Sequence, residues 1–354
     1  MRKTISIIIC MLLCTCITSC DNLTEEFQDK KIIVSIGFDK GEVFQLDTLS
    51  CMKSEVYVYL ADMQVEYENA FDPSFWAYMN TNGDTMGERL IDNAIANISQ
   101  IKAMHLLADN RGISLDEEEM KKASNAANAF YTSLSDDEVG MLMVEEELLY
   151  EMYKEYALAN KVYAYIIKDI NPEISDDEAR TITVRNIFLK TYTVNGLGEE
   201  IEYPEEQGKE TYDRILELKE RLDAGEDFDS LSLEYSDDQE RSFSFGKGDT
   251  SPEYEEAAFS LAEGEISDIV KTEKGYFIIQ CISSFDLEQT QRNKIKIMEE
   301  QKREVFEKEY LEFVKELPKD MNQECFDEIH LISSEDLPTT SFLDVYKQYF
   351  PLNW

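Results

Sequence analysis

Hydrophobic periodicity changes twice along this chain, and that double change limits its fold more than any other feature. Over residues 52–170 the apolar side chains recur at helical spacing. From Ala179 to Ser283 the pattern becomes short alternating runs broken by turn residues, and after Phe285 one long charged stretch returns to helical spacing. Two helical blocks are therefore expected to flank one compact α/β block of about a hundred residues, an ordinary domain size. The chain has 354 residues, enough for about two domains.

Local signals place the elements. Residues 31–38 are β-branched and alternating, Asp39-Lys40-Gly41 marks a turn, and 43–49 is a second strand candidate. Helices are predicted over 52–69, ended by Asp72-Pro73, and over 86–109, closed by Asn110-Arg111-Gly112. Ser114-Leu115-Asp116-Glu117 has the form of a capping box opening a third helix. A fourth, over 144–170, is rich in Leu, Met and Tyr and stops before Pro172. Such a stripe can form an adaptable client-binding face, although it is more often core. A strand at 181–189, helices at 209–224 and 228–235, a long helix at 287–317 and a last strand at 326–332 complete the pattern.

Charge and cysteine content exclude several functions. The formal charge is −40, from 34 Lys plus Arg against 74 Asp plus Glu. A surface that acidic repels phosphate backbones and anionic headgroups, which excludes nucleic-acid binding and electrostatic adhesion to a membrane. With only two histidines, His105 and His330, no His-built metal site is expected, and no metal or cofactor is assigned. The start of the chain has its own logic. Arg2 and Lys3 precede an apolar run over 5–17 that is too short to span a bilayer, and the run ends in Ile17-Thr18-Ser19-Cys20. This resembles a bacterial lipobox, with lipidation at Cys20; a secretory signal cleaved elsewhere, or a short anchor helix, are the alternatives. Of the seven cysteines, Cys51, Cys281 and Cys325 then remain, an odd and widely spaced set that reads as buried thiols.

The middle block carries a specific series. It runs Val184-Arg185-Asn186-Ile187-Phe188, Gly225-Glu226-Asp227-Phe228, Tyr235-Ser236-Asp237-Asp238 and Phe245-Gly246-Lys247-Gly248. It continues through Glu255-Glu256-Ala257-Ala258-Phe259, Leu261, Gly264-Glu265-Ile266-Ser267 and Gly275-Tyr276-Phe277-Ile278-Ile279. In order and spacing this resembles a parvulin-type peptidyl-prolyl isomerase domain. With the lipobox and the flanking helices, the layout resembles extracytoplasmic foldase lipoproteins of the PrsA kind and the related SurA-like chaperones. The resemblance implies an α+β protein. A mostly helical chaperone domain is built from N- and C-terminal segments, and a parvulin domain, a four-stranded antiparallel sheet wrapped by helices, is inserted in it. The implied division is a signal peptide over 1–19, an acidic tether over 20–30, chaperone segments over 31–177 and 286–354, and the parvulin domain over 178–285.

The resemblance also implies a site. The family's acidic position beside the twisting carbonyl falls on Asp238, and the aromatic floor of the proline pocket on Tyr254, with Phe259 behind it and Phe245 nearby. A pocket methionine is replaced by Thr250, and the two facing histidines of most parvulins by Asn186 and Phe277. Asn186 can still donate and accept a hydrogen bond; Phe277 can do neither. The implied activity is therefore weak cis/trans isomerisation of X–Pro bonds in exported, incompletely folded polypeptides, with Asp238 and Asn186 catalytic and no cofactor needed. The alternative is a non-catalytic holdase whose degenerate parvulin domain only binds. The implied location is extracytoplasmic, lipid-anchored to the outer face of the cell membrane. The oligomeric state is open, a dimer included.

Overall fold

A computed structural model describes residues 38–79, 83–195, 199–238 and 242–350. The chain divides into two compact units: one holds the described residues of Met1–Asp169 and Glu304–Trp354, the other is Ile170–Arg303. The α+β architecture with an inserted antiparallel four-stranded sheet is present. No described helix is long and apolar enough to cross a membrane.

The first unit opens on a hairpin, β1 (Glu42–Leu46) and β2 (Leu49–Met52). Leu46 and Leu49 pair across a two-residue turn in which Asp47 takes φ +51°, a left-handed conformation that Asp tolerates. The predicted second strand thus breaks at Asp47 into two. The candidate strand at 31–38 lies outside the described residues except for Phe38.

Helices α1 (Lys53–Glu68), α2 (Met86–Asn110), α3 (Glu117–Ser133), α4 (Asp136–Leu142) and α5 (Glu146–Ile167) follow. The starts of α2, α3 and α4 are written in side-chain oxygens. Thr85 and Glu88 close a reciprocal box on α2, with Glu88 N donating to Thr85 Oγ1 at 3.1 Å and Thr85 N to Glu88 Oε2 at 2.7 Å. On α3 the box is not at Ser114 but two residues later: Glu119 N donates to Asp116 Oδ1 and Asp116 N to Glu119 Oε2, both at 2.8 Å. Ser114 has Glu117 three residues on as well, but the helix starts only at Glu117, so Asp116 is its N-cap and Glu119 its third residue.

The second unit begins with β3 (Thr181–Lys190), a small hairpin of β4 (Tyr192–Val194) and β5 (Glu200–Glu202), then α6 (Glu205–Asp223) and α7 (Phe228–Tyr235). After β6 (Ser242–Gly246) come α8 (Pro252–Ser260), β7 (Val270–Thr272) and β8 (Gly275–Ser283). The sheet order is β6-β3-β8-β7, antiparallel throughout. Alternation on β3 sends Ile187 and Leu189 to the face covered by Ile215, Leu218 and Leu222 of α6 and Phe228 and Leu231 of α7. Ile182 and Val184 go to the opposite face, under α8.

Helix α9 (Leu287–Val314) leaves the second unit and, from Glu304, belongs to the first. The tail then adds β9 (Lys319–Met321), α10 (Gln323–Phe326) and α11 (Phe342–Tyr349). β9 pairs antiparallel with β1, so one three-stranded sheet, β2-β1-β9, unites the two ends of the first unit. The strand expected at 326–332 does not form. Its Ile329 and Ile332 are buried, but Ile332 is held by a side chain: its N–H donates to Gln64 Oε1 at 3.0 Å and its carbonyl accepts from Gln64 Nε2 at 2.7 Å. One amide replaces a strand partner. Deeper in the unit Phe342 is fully buried, its ring 4.1 Å from that of Tyr153 and 5.5 Å from those of Tyr59 and Phe130.

Candidate active site

The α8 face of the sheet is built from rings. Phe277 on β8 lies opposite Phe188 on β3, and the two rings stack at 4.4 Å. Pro252 starts α8 at its first position, where a missing N–H costs nothing, and two residues later Tyr254 meets Phe277 edge-on at 5.0 Å. Phe245 of β6 packs 5.8 Å from Tyr254 and 5.6 Å, edge-on, from Phe259. Phe243 completes the row, and the Arg180 guanidinium sits 5.3 Å over the Phe259 ring. Tyr254 and Phe245 are buried, whereas Phe188, Phe243, Phe259 and Phe277 are half-buried.

Three polar atoms in and beside this apolar site are buried without a partner. They are Asn186 Oδ1, on a residue 1 % exposed, the Tyr254 hydroxyl and Thr250 Oγ1, in the turn between β6 and α8. A buried polar group left unbonded costs about 1–3 kcal/mol, so three of them together mark a place built for something other than stability. Burial, and then the negative charge of Asp238, push the Tyr254 phenol up, which keeps it a hydrogen-bond donor throughout the physiological range.

Asp238 reaches the site through a loop sewn to β3. Ser232 Oγ donates to the Asn186 carbonyl at 2.9 Å, and Phe188 N donates to Ser236 Oγ at 3.0 Å. Asp237 N donates to the Phe188 carbonyl at 2.8 Å, Lys190 N to Asp237 Oδ2 at 3.0 Å, and Asp238 N to Ser236 Oγ at 3.3 Å. The half-buried Asp238 is thereby set beside the strand that carries Asn186. Cys281 lies on the same face; burial foremost, with Glu263 and Glu265, raises its thiol against the pull of Arg180, so it stays protonated. Among the described residues no group of three or more His, Cys, Asp or Glu is placed to hold a metal ion.

Asn186, Phe245, Tyr254, Phe259 and Phe277 thus share one face, with Thr250 and Asp238 on loops bordering it; Cys20 lies outside the described residues. Sequence reasoning passed over Phe188, Phe243 and the hydroxyls of Ser232 and Ser236. Phe188 was within reach, since it stands two residues from Asn186 on an alternating strand and so shares its face. The serines carry no sequence signal, because what they hold is backbone far away in the chain.

Residues 197–283 match the rotamase family, the PPIC-type PPIase domain. The chain therefore carries a parvulin-type rotamase domain, to which the structure adds the central strand β3, upstream of the matched segment. Over a longer stretch the chain is similar to PrsA foldases. It is 26 % identical over 266 residues to foldase protein PrsA of Caldanaerobacter subterraneus, covering 71 % of this chain and 77 % of that protein. To foldase protein PrsA of Geobacillus kaustophilus it is 47 % identical over 70 residues, covering 18 % of this chain and 25 % of that protein. Among solved structures, peptidylprolyl isomerase PrsA of Bacillus cereus aligns with a TM-score of 0.37 at 20 % identity, covering 77 % of this chain and 97 % of that one.

Proposed function

We propose that the chain is a lipid-anchored, extracytoplasmic foldase that accelerates cis/trans isomerisation of X–Pro bonds in exported, incompletely folded polypeptides. The observation that carries the reading is the set of unpartnered buried polar atoms on the aromatic face of a PPIC-type domain. An X–Pro amide turns slowly, over a barrier of about 20 kcal/mol, because its C–N bond is partly double. An apolar site disfavours the charge-separated resonance form, and a hydrogen bond that favours the twisted amide lowers the barrier further. In this reading Tyr254, Phe259, Phe245, Thr250 and Phe277 bind the proline segment. Asn186 offers the amide a hydrogen bond, and the Asp238 carboxylate sits beside the twisting carbonyl. Neither metal nor covalent intermediate takes part. Lipidation at Cys20 holds the molecule at the membrane; Cys20→Ala should release it and change its mature mass.

The test is an exchange or protease-coupled assay on a short X–Pro peptide. Activity should be detectable and below that of a parvulin with two histidines. Asp238→Ala should lower it, and Asn186→His with Phe277→His should raise it, on the scale of 10²–10³-fold that one preorganised polar contact is worth. A second reading, a holdase with a binding-only parvulin domain, draws on one observation: Phe277 is engaged in a stack with Phe188 and offers no hydrogen bond. Silence of both the wild type and the double-histidine variant would establish that reading instead.

A further inference from the structure

The unit outside the rotamase domain carries its own apolar surface. At the end of α1, in the turn after it and in the short 3₁₀ turn Pro73–Ala77, four rings gather, Tyr67, Phe71, Phe75 and Trp76, and Tyr78 and Met79 follow directly in the chain. Phe71 and Phe75 stack at 4.6 Å, Tyr67 lies 6.2 Å from Phe75, and Trp76 meets Phe75 edge-on at 5.5 Å. The cluster is ordered from within: Trp76 Nε1 donates to Glu68 Oε1 at 2.9 Å, and Met86 N donates to the Tyr78 carbonyl at 2.9 Å. Yet Phe71 is 51 % exposed, Tyr78 67 % and Met79 71 %. Rigid aromatics left in water at this density mark a binding surface rather than an unfinished core.

Charge selects the occupant. From Glu66 to Arg89 the chain has five acidic residues and one basic residue, Arg89. Glu68 and Asp72 belong to the cluster's own backbone, and Asp84 and Glu88 follow on the segment that Met86 ties to Tyr78. Hydrogen bonds from the backbone and hydroxyl of Ser74 to Asp72, and of Thr85 to Glu88, hold both carboxyls below the usual range, so they stay charged. We infer that this aromatic, acid-rimmed patch is a second client site, which takes cationic, apolar stretches of unfolded polypeptide without regard to proline. An anionic lipid surface, or a second copy of a chain of charge −40, meets the same rim with repulsion. The inference rests on the reading of the chain as a foldase and adds where a client is held while its X–Pro bond is turned elsewhere.

The protein supplies its own probe, since Trp76 is one of only two tryptophans. In the full chain carrying Trp354→Phe, Trp76 emission is titrated with a proline-free, unfolded peptide of alternating Lys and Phe/Leu, and with its Lys→Glu counterpart. The basic peptide should shift the emission saturably, more weakly as salt is raised, since screening shortens the reach of the rim charges. The acidic peptide should not bind. Phe71→Ser with Tyr78→Ser, both exposed and so compatible with folding, should weaken binding at least tenfold at unchanged melting temperature, read by anisotropy of a labelled peptide. Equal binding of the acidic peptide, or affinity unmoved by the double substitution, overturns the inference. So does sedimentation showing that the substitution turns a peptide-free dimer into monomers, for the patch would then be a self-contact. Turnover of a short X–Pro peptide, measured on the same samples, should be untouched. A wild type that binds the basic peptide but turns over no X–Pro bond would refute the isomerase reading and leave the patch standing.

Discussion

Lys102 is 2 % exposed in the middle of α2, an expensive place for a charge unless it is answered. Its Nζ lies 2.8 Å from Glu55 Oε2 and 2.9 Å from Glu155 Oε2, which ties together α1, α2 and α5. Burial alone would lower the ammonium, but the two carboxylates outweigh it and hold Lys102 above the usual range. Burial also acts to raise Glu155, and there His105 and Lys102 prevail and hold the carboxyl low. Lys102→Met would strand two buried carboxylates and should cost about 3–5 kcal/mol at neutral pH, measured by urea unfolding. Part of the loss should return near pH 5, where the stranded carboxyls take up protons. Asp62 shows the opposite balance. Phe342 N, Leu343 N and Ser341 Oγ all donate to its carboxylate at 2.7–3.0 Å, capping α11, yet burial wins and lifts the carboxyl to about 6. A folded-state value above the unfolded one means that the group's contribution is full below about 4 and is lost as pH rises through about 6. The stability of wild type relative to Asp62→Asn should therefore fall across that window by on the order of 2–3 kcal/mol, at about 1.4 kcal/mol per tenfold change in binding. A flat difference between the two unfolding curves would remove Asp62 as the cause.

Two elements decide how the rotamase unit holds its site. β3 is the central strand, hydrogen-bonded to β6 and β8 and sewn to the α7 loop through Ser232, Ser236 and Asp237. Where β8 begins beside the end of β3, Gly275 adopts φ +144°, and a Cβ there would stand 2.2 Å from the Leu189 carbonyl oxygen. Gly275→Ala must push the two strands apart, at roughly 2–4 kcal/mol. Gly264, at φ +83° with open space around it, should lose only about 1 kcal/mol as Ala, the conformational part alone. Hydrogen exchange separates the cases: Gly275→Ala should speed exchange of the β3 and β8 amides while those of α2 and α5 keep their protection.

At the scale of the whole molecule, one unit interrupts the other. The sheet β2-β1-β9 and the plug of Phe342 against Tyr59, Phe130 and Tyr153 make the first unit depend on both chain ends. The points where the insertion leaves and returns are neighbours, for the rings of Tyr163 and Phe306 meet at 4.8 Å. Replacing residues 170–303 by a short Gly-Ser linker should therefore leave a helical protein that unfolds in one cooperative transition by circular dichroism. Truncation at residue 169 should not, because β1 would lose β9, and Phe342 would leave a hole in the core. A cooperative, fully stable 38–169 fragment would show that the C-terminal segments are decoration.

Much of this was legible in the order of residues. Helical and alternating periods gave the succession of elements, because each reports only which side of a local element is dry, and the order of short motifs from Asn186 to Phe277 pointed to the rotamase domain and to most residues of the candidate face. What failed were the readings that depend on a distant partner. Ile329 and Leu331 alternate like a strand, but Ile329 N–H turns back to the Phe326 carbonyl and a glutamine 268 positions away bonds Ile332, and the strand that does close the sheet, the three-residue Lys319–Met321, carries no pattern of its own. The orphaned hydroxyl of Tyr254, the stack of Phe188 on Phe277 and the exposed ring cluster at Phe71 are likewise invisible in one dimension. A residue's type states which bonds it is able to make; only packing decides which it is given.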